Sequence, residues 1–233
     1  CIYISHRLDE VMRIADKITI LRDGQTIDTR KREDLDKETM ISLMVGRELK
    51  NMFPRVPHTK GELVLEIRDY RVKHPDIANK DLIDQVSLKA YKGEILGVSG
   101  LMGAGRTELF TALFGAFREK GEGEVLINGK PVKITSPIDA LNHGFFLISE
   151  DRKKLGLNLI MSIKENTTLA ALRKVSKYGV LNDDKEVAYT NQYKKSLQIA
   201  APHINTAVRN LSGGNQQKVV IAKALVCEPK IIV

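Results

Sequence analysis

Gly100-Leu101-Met102-Gly103-Ala104-Gly105-Arg106-Thr107 joins an apolar run, Ile95 to Val98, to a stretch with Leu109/Leu113 and Phe110/Phe114 at i,i+4 spacing. A buried strand, a glycine-rich turn and a helix therefore follow one another. That order lets bare backbone N–H groups wrap an anion at the positive end of a helix. The segment fits the phosphate-loop pattern at every fixed position but one, because Arg106 stands where the pattern calls for lysine. A guanidinium keeps the charge but is planar and bulky where an ammonium is compact. The plain alternative is a tight turn between a strand and a helix. The flanking elements favour nucleotide binding over it, while Arg106 argues against catalysis at this loop.

A second segment narrows the field. Leu211-Ser212-Gly213-Gly214-Asn215-Gln216-Gln217-Lys218 puts a hydroxyl and two glycines at the start of a helix, again presenting N–H groups to an anion. Alone it is an ordinary capped helix. Its place decides otherwise, roughly a hundred residues after the phosphate loop and followed by Glu228-Pro229 and a buried strand.

Between and around these lie alternating elements. Residues 1–5 read as a buried strand, 7–15 as a helix, 17–29 as a hairpin turning at Asp23-Gly24, and 37–45 as a helix. Residues 46–61, with Pro54 and Pro57, read as a linker. A strand at 63–67 opens a second domain, and Glu94 to Gly100 is expected to be a buried strand. Glu124–Ile127 and Val132–Ile134 flank an Asn128-Gly129 turn. Ser136-Pro137 opens a short helix closed by Gly144, Phe145–Ser149 is a buried strand, and Ser162 with Glu165 forms a capping box. Residues 182–199 read as a polar helix, 213–227 as the last helix, and 230–233 as the start of a strand. Strand–helix alternation of this kind predicts an α/β fold with a largely parallel sheet.

Composition excludes several classes. At 42% apolar the chain is globular. No apolar run approaches the ~18 residues of a membrane span, and no signal peptide is present. Cys1 and Cys227 read as buried reduced thiols, and no His/Cys cluster has metal-ligand spacing. A net charge of +8 is spread over short runs such as Arg152-Lys153-Lys154, so a solvated basic surface is expected. Both ends read as cut inside strands.

Taken together, Gly93 to Glu108, Ile148-Ser149-Glu150-Asp151-Arg152-Lys153, Leu211 to Val219, and Val45 to Leu49 with Phe53-Pro54 resemble the tandem ATP-binding subunits of bacterial ATP-binding-cassette (ABC) importers for simple sugars. The class is that for ribose, galactosides and xylose, with ribose nearest on the residues around the phosphate loop. The resemblance covers essentially the whole chain. It implies a P-loop NTPase cassette with a mostly parallel sheet, an antiparallel β subdomain and a helical subdomain. Residues 1–45 become the tail of a first cassette, 46–61 the linker, and 62–233 a second cassette ending before the family's acidic magnesium ligand and general base.

The same resemblance assigns roles. Cassettes of this family pair head to tail, each nucleotide lying between the phosphate loop of one and the signature of the other. His6 sits where the first cassette carries its switch histidine and is the expected catalytic group. Gly100, Leu101, Met102, Gly103, Ala104, Gly105, Arg106, Thr107 and Glu108 would bind ATP at one site. Ser212, Gly213, Gly214 and Asn215 would bind it at the other. Thr107 and Glu150 are the expected magnesium ligands, and Tyr70 is the nearest candidate for stacking on adenine, though equally a core tyrosine. The arginine in the loop is a trait of this class. The implied partners are the permease subunits, indirectly a periplasmic or lipid-anchored sugar-binding protein, and the first cassette as a pseudo-dimer half, with no nucleic acid. The implied place is the cytoplasmic face of the membrane. A soluble tandem cassette acting on ribosomes or DNA is the rival, disfavoured by the short linker and the lack of heptads.

Overall fold

The computed structural model describes residues 1–5, 7–22, 24–45 and 59–233. His6, Asp23 and most of the expected linker lie outside the described residues. The chain forms two compact units, Cys1–Pro57 and His58–Val233.

In the first unit, α1 (Leu8–Ile14) leads to an antiparallel pair, β1 (Lys17–Arg22) and β2 (Gln25–Lys31), and then to α2 (Lys37–Val45). Ile18, Ile20, Leu35 and Met40 form its core. The alternation along β1 places Ile18 and Ile20 on one face, where the helices cover them. The expected buried strand at 1–5 is not there. Ile2 and Ile4 are each 92% exposed, and no ladder forms. Apolar content alone does not make a strand when no described segment offers its backbone groups partners. Cys1 is accordingly exposed, and it and Cys227 are free thiols.

The second unit begins with a twisted antiparallel sheet. β3 (Leu63–Lys73) is the central strand, with β4 (Asp81–Tyr91) on one side and, after α3 (Arg106–Leu113), β5 (Gly121–Ile127) on the other. β6 (Lys130–Pro131) turns back on β5 through Asn128 and Gly129, both at positive φ, as a two-residue hairpin of this type requires. Pairing stops sooner than expected: beyond β6 only the Val132 N–H reaches Val125 O, at 2.8 Å. Leu65, Ile67, Val72, Ile83 and Ile127 pack this sheet onto Leu109, Ala112 and Leu113 of α3.

Tyr70 belongs to that core. It is 6% exposed, burial pushes its hydroxyl up to about 12, and its ring fills the space beside Gly121, where a Cβ would lie 2.0 Å from the hydroxyl. An adenine base has no access to such a ring, so Tyr70 is a packing residue. Gly121→Ala is expected to destabilise the unit by about 2 kcal/mol, since the new methyl must displace a buried ring. Chemical denaturation checks this.

α4 (Pro137–Asn142) starts where Ser136 Oγ accepts from Asp139 N at 3.3 Å, and β7 (Phe145–Phe146) follows. β7 pairs in parallel with β10 (Ile231–Ile232), the one parallel pair among the described residues. The antiparallel sheet that the resemblance implied is present, while the expected parallel sheet is limited to this one pair among the described residues. The reason is at Glu94 to Gly100, the expected buried strand. It has no ladder partner, and Ile95 is 92% exposed. A strand buried on both faces needs neighbours along both edges, and the described residues supply none for it.

The remainder is a helical part. A π-turn at Arg152–Gly156 precedes α5 (Ile163–Thr168), α6 (Leu172–Val175), the hairpin of β8 (Ser176–Lys177) and β9 (Val180–Leu181), α7 (Asp183–Ser196) and α8 (Gly213–Val226). The capping box at Ser162 forms as expected, Ser162 N donating to Glu165 Oε2 at 2.7 Å. Asn166 is fully buried. Its Oδ1 accepts from Asn158 N, and its Nδ2 donates to the carbonyls of Asn158, Met161 and Ser162. No helix of the described residues is long and apolar enough to cross a membrane.

Candidate functional site

The phosphate loop takes the shape its glycines predict. Gly103 and Gly105 lie at φ +83° and +79°, the left-handed region that side chains disfavour, and Ala104 N–H closes the turn on Leu101 O at 3.1 Å. Gly105 is required twice over, because a Cβ there would sit 2.6 Å from Ile83 Cδ1. Helix α3 starts at Arg106 itself, so the guanidinium stem rises from the first helical residue and is exposed. Leu101 and Met102, 87% and 99% exposed, cap the loop.

Thr107 and Glu150 come together. Thr107 Oγ1 donates to Glu150 Oε1 at 3.4 Å, across 43 residues of sequence, so one hydroxyl and one carboxylate face the same space beside the loop. Both side chains are exposed. They line, with Arg106 and Thr111, one end of a cavity of about 900 Å³. Its lining also includes Ile95, Leu96 and Val98 together with the charged Lys92, Glu94 and Lys230.

The signature segment is a helix start of a particular kind. Ser212 caps α8, its Oγ accepting from Asn215 Nδ2 at 3.0 Å and, more loosely, from Asn215 N at 3.5 Å. Asn215 Oδ1 accepts in turn from Ala200 N at 2.8 Å, so this side chain ties the cap to the preceding loop. Ser212, Gly213 and Gly214 are exposed. Gly214 is not at positive φ, and a Cβ there would meet nothing within 4 Å. The chain itself thus gives no reason for glycine at 214. What its bareness leaves open is approach from outside. Gly214→Ala is expected to stabilise the chain by about 0.5–1 kcal/mol, because alanine is the better helix former. The same change is expected to weaken nucleotide contact across this turn. Paired melting and turnover measurements check the trade.

Within the chain, no hydrogen bond or ion pair joins residues 100–108 directly to residues 212–215 among the described residues. The two groups are separate surfaces, each open to solvent. The catalytic expectation at His6 lies outside the described residues. Sequence reasoning missed Arg152, whose Nε donates to Gln216 Oε1 at 3.3 Å. It had been counted among scattered basic residues, and only its place directly after Glu150-Asp151 could have singled it out.

Known proteins of the same kind exist. Over all 233 residues the chain is 52% identical to the xylose import ATP-binding protein XylG of Thermoanaerobacter pseudethanolicus and 49% identical to that of Geobacillus kaustophilus. It spans 46% of the length of each. These relatives carry xylose in their names, whereas the residues around the loop had pointed to ribose within the class. Among solved structures, a nucleotide-free ATP-binding cassette from an ABC transporter superposes with a TM-score of 0.60 at 21% identity, covering 73% of this chain and 67% of that one. A cassette in a post-hydrolysis state bound to ADP and phosphate superposes with a TM-score of 0.58 at 20% identity, covering 72% of each chain. The fold is therefore that of a P-loop cassette, with its antiparallel sheet and helical part. The family model described as ABC transporter matches residues 83–233, which take in the phosphate loop, Glu150 and the signature helix, and the chain belongs to that family.

Proposed function

We propose that this chain is part of the ATP-binding subunit of an importer for a simple sugar, xylose being favoured by the names of its relatives. The alignment of the whole chain with 46% of each relative carries that reading, since it takes in both cassette-like surfaces and the segment before them. Residues 1–45 are then the tail of one cassette, 46–61 the linker, and 62–233 the body of a second. The subunit works at the cytoplasmic face of the membrane, against permease subunits that receive sugar from a binding protein.

The chemistry follows from the residues. Backbone N–H groups of Gly103 and of Gly105 to Thr107 cradle the β- and γ-phosphates of ATP, the Ala104 N–H being used to close the turn, and the positive end of α3 adds to their potential. Arg106 supplies charge without the slender reach of an ammonium. Thr107 and Glu150 suit a hard cation, because they offer two oxygens and leave the remaining positions to phosphate and water, the arrangement magnesium prefers. Bound there, magnesium would neutralise charge on the phosphate oxygens. This site holds nucleotide, and turnover takes place at a second site. That second site joins Ser212, Gly213, Gly214 and Asn215, with His6 on the tail segment, to the phosphate loop of the other cassette.

Reconstitution tests the reading. The tandem subunit with its permease, in vesicles loaded with ATP, is expected to drive uptake of labelled xylose. ATP turnover stimulated by ribosomes or DNA, with no sugar uptake, would overturn it.

A further inference from the structure

One face of α8 carries a stripe that the motif does not explain. Gly213, Gln216, Val220 and Lys223 stand at i, i+3, i+7 and i+10, the spacing of a single helix face. All four meet the Arg152–Gly156 π-turn. A Cβ on Gly213 would lie 2.9 Å from Arg152 Nη2. Gln216 Oε1 accepts from Arg152 Nε at 3.3 Å. The Cβ position of Gly156 lies 3.4 Å from Val220 Cγ2, and Lys223 Nζ donates to Gly156 O at 2.8 Å. Burial lowers the pKa of that lysine.

The anchor of the stripe is Gln216. It is 6% exposed, and its Nε2 donates to the carbonyls of Val208 and Leu211, each at 3.2 Å. Leu211 immediately precedes the Ser212 cap. The amide is therefore fixed on three sides. Arg152 donates from Nε to Gln216 and lays the adjacent Nη2 against Gly213. Gly213 is not at positive φ, and a Cβ there would press on the far end of the Arg152 side chain, so that side chain would have to shift. A lysine could not divide itself in that way, having a single nitrogen at the end of its stem.

We propose that Arg152 is a positioning residue for the Ser212-Gly213-Gly214 turn, setting the first turn of α8 against the segment that carries Glu150. This rests on the reading of that turn as a nucleotide-facing surface. The π-turn begins two residues after Glu150, whose carboxylate takes the Thr107 hydroxyl. Asp151 stiffens the step between them, its Oδ1 accepting from the backbone N–H groups of Lys153 and Lys154 at 3.1 Å each. A continuous line of contacts thus runs from the phosphate loop through Glu150 and Arg152 to the signature turn.

Two measurements test it. Amide hydrogen exchange on the 233-residue chain is expected to quicken about tenfold at residues 213–216 in Arg152→Lys, the scale of one charge-assisted hydrogen bond, while amides around Asn166 keep their protection. Gly213→Ala is expected to do the same in the native background. In Arg152→Ala it adds nothing further, because its partner in the clash is gone. In the tandem protein Arg152→Lys is expected to lower kcat about tenfold with KM for ATP within about twofold. Unchanged exchange at 213–216 in Arg152→Lys, or independent additive effects of the two substitutions, overturns the proposal. So does an unchanged kcat in a tandem protein that turns over ATP. A tandem protein without any turnover, whose exchange nevertheless responds as described, upholds the placement by Arg152 and removes the functional reading instead.

Discussion

Ser212→Arg in the tandem protein is expected to lower ATP turnover by about 10²-fold or more, the scale of losing well-placed contacts to a transferring phosphoryl group. The native hydroxyl is small, exposed and held by Asn215 Nδ2 at 3.0 Å. An arginine there brings a bulky cation into the space where, on the proposed reading, the other cassette approaches. It also stands beside Arg152, whose guanidinium already lies against Gly213, so two like charges compete for one turn. Ser212→Ala separates the causes. It removes the cap alone, a loss of about 1 kcal/mol of helix stability, and leaves the surface open. Turnover retained in Ser212→Ala but lost in Ser212→Arg, with both proteins folded by circular dichroism, is the expected pair of results. Normal sugar uptake by Ser212→Arg would show that this face does not meet the other cassette.

His6→Ala and Arg106→Ala are expected to differ in kind. His6→Ala should reduce hydrolysis about 10²-fold at saturating ATP, because orienting a water against a phosphoryl group is a contact made in the transition state. Arg106→Ala should mainly weaken nucleotide binding. Its side chain leaves an exposed position at the first residue of α3, and ground-state phosphate holding depends chiefly on the N–H groups of Gly103 and of Gly105 to Thr107. Catalysis tolerates far less displacement than binding does, and a planar fork cannot occupy the place of an ammonium without moving its neighbours. Measuring bound nucleotide and turnover in both variants of the assembled transporter checks the difference. Equal loss of turnover in both, at saturating ATP, would abolish the asymmetry.

Much of the local structure is legible in the sequence because short-range chemistry dictates it. Asn128-Gly129 turns a hairpin, Ser136-Pro137 and Ser162 with Glu165 start helices, and Gly103 and Gly105 of the phosphate loop adopt the positive φ that glycine accepts most readily. What the sequence conceals is partnership. Glu94 to Gly100 and residues 1–5 have the apolar content of buried strands, yet a strand is defined by neighbours that composition does not name. Tyr70 illustrates the same limit at a site. Only its packing against Gly121 shows that it faces the core and not a ligand. The pairing of Thr107 with Glu150 was expected as a common role, but its closeness arises from the chain's return over 43 residues. Arg152 was invisible because its meaning lies in what sits opposite it, a buried glutamine and a glycine 61 residues further on.

The loop at Gly100–Thr107 is proposed to hold nucleotide without consuming it. Titrating the 233-residue chain with ATP and magnesium, while counting phosphate released in the same samples, tests this most directly. Saturable binding that weakens in Thr107→Ala and when magnesium is chelated is expected, with phosphate release no faster than in protein-free samples. Steady release that disappears in Arg106→Ala or Thr107→Ala, or no saturable binding at all, would contradict it.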